Sequence, residues 1–213
     1  AVNTIRFEGR NDAGEWTPLG ALPIDYSGEI RTHGFNTDAD AIVRSLREDL
    51  GFESKGRRVV LLGAGGAGRV AALRLASEGV AELYLVNRTV EKAAAVRAEI
   101  TERFPKVRAE IAYPADRQAD LLLNATSLGL GEGDGSPLDE SRFPIDGAPC
   151  VYDMIYRPAE TPLLLRAREA GVKTANGLGM LLYQGVKALE IWTGRPVPVE
   201  VMRAALKQNV YGS

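Results

Sequence analysis

Six consecutive residues, Gly63-Ala64-Gly65-Gly66-Ala67-Gly68, follow the apolar run Arg58-Val59-Val60-Leu61-Leu62 and open a helical pattern that ends near Gly79. Their spacing is G-x-G-x-x-G. Between a strand and a helix, the first glycine permits a tight turn and the second lets the backbone approach a pyrophosphate. The third lets the helix pack close to the strand. Free N–H groups and the helix dipole then face negative charge, so this pattern points to a bound dinucleotide. A purely structural turn is the plain alternative, because glycine is abundant here, 23 of 213 residues.

The second strand, Leu83-Tyr84-Leu85-Val86, narrows the choice of dinucleotide. A site for NAD places Asp or Glu about 20 residues after the turn, where the carboxylate accepts the ribose hydroxyls. That place holds Asn87, followed by Arg88, Thr89 and, one helical turn later, Lys92. A carboxylate would repel a ribose 2′-phosphate, whereas an amide, a hydroxyl and a guanidinium can donate to it. A charge-assisted hydrogen bond contributes about 1.5–3 kcal/mol, roughly one to two decades of affinity. These residues point to NADP. The plain alternative is a solvated helix start, although basic residues at an N-terminus oppose the helix dipole.

The elements that must position these groups read as alternating strands and helices. A helix beginning at Thr37 or Asp38, either of which can cap it, aligns Ile42, Val43, Leu46 and Leu50, and Gly51 follows as a stop. A second amphipathic helix runs from about Thr89 to Phe104. Strands are expected near 107–112, 120–124 and 150–154, with a loop rich in Gly, Asp, Ser and Pro from Gly129 to Pro144. Helices from about Met180 to Thr193 and Pro198 to Lys207 close the chain. Apolar strands without polar alternation, separated by helices, imply a doubly wound parallel α/β sheet of Rossmann type with helices on both faces. The first 38 residues read instead as strands and turns. The expected organisation is a β-rich remnant of a substrate-binding domain at 1–38, an NADP-binding domain at 39–195, and a C-terminal helical segment at 196–213 that packs back toward the substrate domain.

Composition excludes several classes. The chain carries 26 Lys and Arg against 28 Asp and Glu, without a basic block, so nothing marks a nucleic-acid partner. One Cys and one His leave no disulfide framework and no zinc cluster, and no metal is expected. No apolar run approaches the roughly 18 residues of a membrane span. Ala1 opens directly into Val2-Asn3-Thr4-Ile5 with no initiator Met, and the expectation is that upstream sequence is missing. A cytoplasmic location is expected, with targeting left open, and a homodimer is the assembly considered, on which the sequence itself is silent.

Taken in order, Ala1-Val2-Asn3-Thr4-Ile5, Gly34-Phe35-Asn36-Thr37-Asp38, the 63–68 turn, Asn87-Arg88-Thr89, Asn124-Ala125-Thr126-Ser127, Tyr152-Asp153-Met154-Ile155-Tyr156 and Asn176-Gly177-Leu178-Gly179-Met180 through Gln184 resemble the shikimate dehydrogenase family over nearly the whole chain. The resemblance implies two domains with a cleft between them, and NADP-linked interconversion of 3-dehydroshikimate and shikimate in the chorismate route to aromatic amino acids. It implies a catalytic Lys–Asp pair, of which Asp38 matches the Asp. Asn3, Asp38, Tyr156 and Gln184 match substrate contacts. Gly63, Ala64, Gly65, Gly66, Ala67, Asn87, Arg88, Thr89, Lys92, Thr126, Met154 and Gly177 match the cofactor side.

Each assignment has a plainer counterpart. Asn3 could be a strand-edge residue, Asp38 an ordinary cap, Tyr156 a core ring, Gln184 one more polar helix position, and Met154 and Met180 core filler. His33 reads as a turn residue and Cys150 as a buried apolar one. The sequence also departs from the family. The Lys of the pair and the Ser/Thr that hold the substrate carboxylate precede A-V-N-T in the family and have no match here. General acid–base catalysis is typically worth about 10²–10⁴-fold, so little or no turnover is expected of this chain alone. Residues 6–33 form a longer hairpin than is usual, and Ala39 replaces a frequent Gly. Another specificity such as quinate, or a non-catalytic NADP-binding module of a larger protein, are the alternative readings.

Overall fold

Val59, Val60, Leu61 and Leu62 are buried on both faces of a six-stranded parallel sheet in the computed structural model, which describes residues 2–212. The sheet comprises β4 (Arg58–Leu62), β5 (Glu82–Val86), β6 (Arg108–Glu110), β7 (Leu121–Asn124), β8 (Cys150–Asp153) and β9 (Lys173–Asn176), in the order β6-β5-β4-β7-β8-β9. The order reverses between β4 and β7, the switch point at which doubly wound sheets bind ligands. Strand residues alternate between two cores. Val59, Leu61, Leu83, Leu85, Leu121 and Leu123 pack with Ile42 and Leu46 of α1 (Thr37–Leu50), Ala71 and Leu75 of α2 (Gly66–Ser77), and Ala93 and Ile100 of α3 (Val90–Arg103). Val60, Leu62, Leu122 and Val151 pack with Phe143, Ile145 and Leu163 and Leu164 of α4 (Pro162–Glu169). The α/β sheet with helices on both faces is as the sequence implied.

Four local expectations change. The first is α4 and β9, which the sequence reading passed over. Thr161 caps α4 by accepting a hydrogen bond from Leu164 N at 3.3 Å, with Pro162 at the first helical position. This is a start signal that the short apolar run Leu163-Leu164-Leu165 masks. The second is the cap of α1. Asn36 Oδ1 accepts from Asp38 N at 3.1 Å, so Asn36 serves as the cap in place of Thr37 or Asp38. The third is His33, which lies within a strand and not in a turn. The fourth is Cys150, which is half-buried at the start of β8.

The chain divides into two compact units, residues 42–181 and residues 1–41 with 182–213. The divisions fall inside α1 and α5 (Leu178–Thr193), whereas the sequence placed them after residues 38 and 195. In the smaller unit β1 (Thr4–Arg10) is the centre of an antiparallel sheet, flanked by β2 (Trp16–Pro18) and β3 (Ile30–Phe35). One face of this sheet is polar. Glu8 is buried there, 3% exposed, and its carboxylate lies 2.5 Å from Arg6, 2.7 Å from Arg31 and 3.1 Å from His33. Arg10 and Arg31 stand over the Trp16 ring at 4.8 and 4.3 Å. The same unit holds α6 (Val199–Tyr211), whose Arg203 donates to Tyr183 Oη at 2.7 Å.

In the larger unit, space decides how α2 meets the sheet. A Cβ at Gly68 would stand 2.1 Å from the Gly63 carbonyl oxygen, and one at Gly63 2.8 Å from the Ala125 carbonyl oxygen. Gly63 also has φ of +100°, a conformation only glycine adopts freely. Tyr152 is fully buried, its hydroxyl 2.8 Å from Ser45 Oγ, and burial holds the phenol well above its usual range.

Two outcomes are expected. Gly68→Ala should lower the urea-unfolding free energy by about 1–3 kcal/mol, as overpacking against backbone does, read by far-ultraviolet circular dichroism; an unchanged midpoint would contradict the close packing. The hydrogen bond from Arg31, with the charges of Arg6 and His33, holds the Glu8 carboxyl below its usual range. A depressed carboxyl stabilises above its unfolded pKa, and that stability is lost as pH falls through the folded value. Trp16 and Trp192 are the chain's two tryptophans and both lie in the smaller unit, so their fluorescence reports it. Glu8→Gln should be less stable than the parent at neutral pH and lose less on acidification, whereas parallel acid profiles would sink this assignment.

Candidate functional site

The glycine turn is tied to its surroundings by three hydrogen bonds. Gly63 N donates to Val86 O at 2.8 Å and Ala125 N to Leu62 O at 2.7 Å, which aligns the ends of β5 and β7 with β4. Ala64 N donates to Asn87 Oδ1 at 2.9 Å, and Asn87 Nδ2 donates to Thr89 O at 2.7 Å. Asn87 therefore braces the turn against the end of β5. One of its two Nδ2 hydrogens remains for a ligand, fewer than the sequence alone suggests.

Past the brace, the turn is open. A Cβ at Gly65 or Gly66 would meet nothing within 4 Å. The first intrahelical bond of α2 runs from Arg69 N to Gly65 O at 2.8 Å. The N–H groups of Gly66 and Ala67 lie ahead of it on exposed residues and are left for a ligand. A cleft of about 390 Å³ begins here, bounded by Gly63 and Gly65, by Asn87, Arg88, Thr89 and Lys92, and by Ala125 to Leu128 with Pro137. Two cations and no carboxylate line it. Arg88, just ahead of the Thr89 cap, and Lys92, in the first turn of α3, are exposed at the end of the helix where the dipole disfavours them, so a bound anion would relieve the mismatch. Open glycines, free N–H groups and a cationic end fit a dinucleotide carrying an extra phosphate.

Of the cofactor residues named from the sequence, Gly63, Gly65, Asn87, Arg88, Thr89, Lys92 and Thr126 line this cleft. Ala64 is braced by Asn87, and Gly66 and Ala67 form the first turn of α2. Met154 and Gly177 do not line it. Met154 packs on the core and its N–H donates to Asn124 O at 2.9 Å. Gly177 is buried where a Cβ would stand 2.0 Å from the Met154 carbonyl oxygen.

The substrate candidates are placed within their own units. Asp38 is half-buried in the first turn of α1. Asn3 Oδ1 accepts from Thr37 N at 2.9 Å and Thr37 Oγ1 at 3.2 Å, so Asn3 ties the start of β1 to the start of that helix. Gln184 is half-buried on α5 in the smaller unit. Tyr156 follows β8 in the larger unit with 39% of its surface exposed, which is not a core ring.

Sequence reasoning gave no role to three buried polar residues, Asn124, Asp153 and Thr161. Asn124 Oδ1 accepts from Thr126 N at 2.9 Å and Thr126 Oγ1 at 2.8 Å, directly behind the cleft wall. The signal was present in Leu121-Leu122-Leu123-Asn124 and Cys150-Val151-Tyr152-Asp153, apolar runs that each end on a polar residue. Among the described residues no group of three or more His, Cys, Asp or Glu could hold a metal ion, and no helix is long and apolar enough to cross a membrane.

The family model described as shikimate/quinate 5-dehydrogenase matches residues 45–129, and that of the shikimate 5′-dehydrogenase C-terminal domain matches residues 177–207. A relative from Methanopyrus kandleri, named shikimate dehydrogenase (NADP(+)), is 37% identical over 99% of this chain and 68% of its own length. One of the same name from Geobacter metallireducens is 43% identical over 82% of this chain and 64% of its own. A crystal structure of a shikimate dehydrogenase in complex with NADP+ superposes with a TM-score of 0.74 at 35% identity, covering 84% of this chain and 63% of that one. The chain thus spans about two thirds of the length of the proteins it matches. With the glycine turn, the cationic cleft and the strand order all in agreement, the chain belongs to the shikimate dehydrogenase family.

Proposed function

We propose that this chain binds NADP in the cleft at the ends of β4, β5 and β7, and that it serves the NADP-linked interconversion of 3-dehydroshikimate and shikimate. The observation that carries the reading is the lining of the cleft, where Arg88, Thr89 and Lys92 stand with no carboxylate among them. The first turn of α2 receives the pyrophosphate on its free N–H groups. Arg88 and Lys92 neutralise the 2′-phosphate, and the Thr89 hydroxyl and the remaining Asn87 hydrogen donate to it. When bound, NADP supplies the hydride acceptor or donor.

On the substrate side we assign Asn3, Tyr156 and Gln184 to ring hydroxyls and the carboxylate, which need neutral donors and acceptors. Asp38 holds an ammonium partner, and the positive end of α1 favours negative charge at that position. Met154 and Gly177 border the nicotinamide. The setting we propose is the cytoplasm, with the chain acting on a small molecule and a homodimer as its assembly.

Arg88→Glu should weaken NADP+ by about tenfold to a hundredfold while leaving NAD+ within about threefold, measured by calorimetric titration; equal losses for the two nucleotides would remove the 2′-phosphate assignment. The reaction is tested by fusing this chain to the part of the Methanopyrus relative that it does not span. Shikimate oxidation, followed by absorbance of the reduced nicotinamide, should then appear and should fall at least about a hundredfold in Asp38→Asn with NADP+ affinity kept. Quinate run in parallel decides the substrate. NADP+ binding without turnover of either would favour a binding module.

A further inference from the structure

Asn124, Asp153 and Thr161 are each fully buried. Asn124 and Asp153 stand side by side as register partners at the C-terminal ends of β7 and β8. Among the described residues no cation faces the Asp153 carboxylate. It accepts from Asn124 Nδ2 at 2.9 Å, Ile155 N at 3.0 Å and Thr161 Oγ1 at 2.7 Å. Burial pushes this carboxyl above its usual range, partly offset by those three donors. Apolar side chains of similar volume would serve a core at least as well as a buried charge, so a polar chain here calls for a reason other than stability.

Both ends of the chain lead to the ligand side of the sheet. In one direction Asn124 Oδ1 holds Thr126 by its N–H and its hydroxyl, and Thr126 Oγ1 in turn accepts from Leu128 N at 3.2 Å. Thr126 to Leu128 form one wall of the cleft. In the other direction Ile155, fixed by Asp153 through its N–H, accepts from Gly177 N at 3.0 Å and so sets the passage from β9 into α5. Thr161 closes the circuit by capping α4 and by standing 3.2 Å from where a Cβ of Gly129 would lie. In a doubly wound sheet each half holds one mononucleotide, and β7 to β9 are the half opposite the cationic ribose end.

We propose that the buried chain Asn124–Asp153–Thr161 is a positioning device for the second nucleotide of the cofactor, setting the Ile155–Gly177 passage to which the nicotinamide half binds. The proposal rests on the NADP reading. It assigns these three residues no contact with the cofactor; they act through Ile155 and Gly177.

The test uses the 213-residue protein, with NADP+ and adenosine 2′,5′-bisphosphate as calorimetric probes, the second occupying only the adenosine half. Thr161→Val removes the hydroxyl at constant shape, and Thr161→Ser restores it. Thr161→Val should weaken NADP+ by about fivefold to tenfold while adenosine 2′,5′-bisphosphate stays within about twofold, and Thr161→Ser should behave as the parent with both. Equal losses for the two probes, or none for either, would overturn the positioning role. Failure of the unsubstituted protein to bind either probe would overturn the NADP reading and the proposal with it. Should Thr161→Val not fold, amide hydrogen exchange on the unsubstituted protein decides. The Ile155 and Gly177 amides must already be protected without ligand, and exchange at the rate of an open loop would refute the proposal.

Discussion

The 2.1 Å that would separate a Gly68 Cβ from the Gly63 carbonyl oxygen is the constraint on which the larger unit turns. Only without that carbon can α2 start directly against the end of β4. Only then does the turn that opens α2 lie beside the ends of β5 and β7. The hydrogen bonds of Gly63 to Val86 and of Ala125 to Leu62 fix the same three strand ends from the backbone side. The cleft is thus the space left when three strands and a helix are drawn together at a switch point, and its lining follows from which residues end those strands.

Charge is handled differently in the two units. Around the cleft, Arg88 and Lys92 are exposed and face no carboxylate in its lining, which stores electrostatic attraction for an incoming anion. On the small sheet, the charges satisfy one another, with Glu8 buried among Arg6, Arg31 and His33. In the larger unit Asp153 is a third case, a buried carboxylate held by three neutral donors. Cations free for a ligand and carboxylates already engaged are what separate a binding surface from a structural one. The proposed role of Asp153 lies between the two, since its bonds are internal yet end at the cleft wall.

Much of this was legible in the residues. The apolar runs at 58–62, 83–86 and 121–124 became strands because no polar alternation limited them to one buried face. The second helix ran from Thr89 to Phe104 by periodicity, and the structure caps α3 with those same residues. What escaped was short or cooperative. The eight residues of α4 and four of β9 are too brief for a periodic signal, and depend on burial of Leu163 and Leu164 for their stability. Asn36 took the capping role because helix entry depends on where β3 ends, which local preference does not set.

By itself the sequence determined the kind of ligand, since glycine spacing after a strand and the absence of an acidic residue at Asn87 are matters of residue type and order. It also determined the fold class, because buried parallel strands and amphipathic helices carry their periods in the chain. Only the tertiary structure decided which groups are free to act. Asn87 spends its oxygen on Ala64, Asn3 spends its own on Thr37, and Asn124, Asp153 and Thr161 meet across separate elements. A hydrogen bond between residues far apart in the chain exists only when packing brings donor and acceptor within about 3 Å, and no local pattern records that distance.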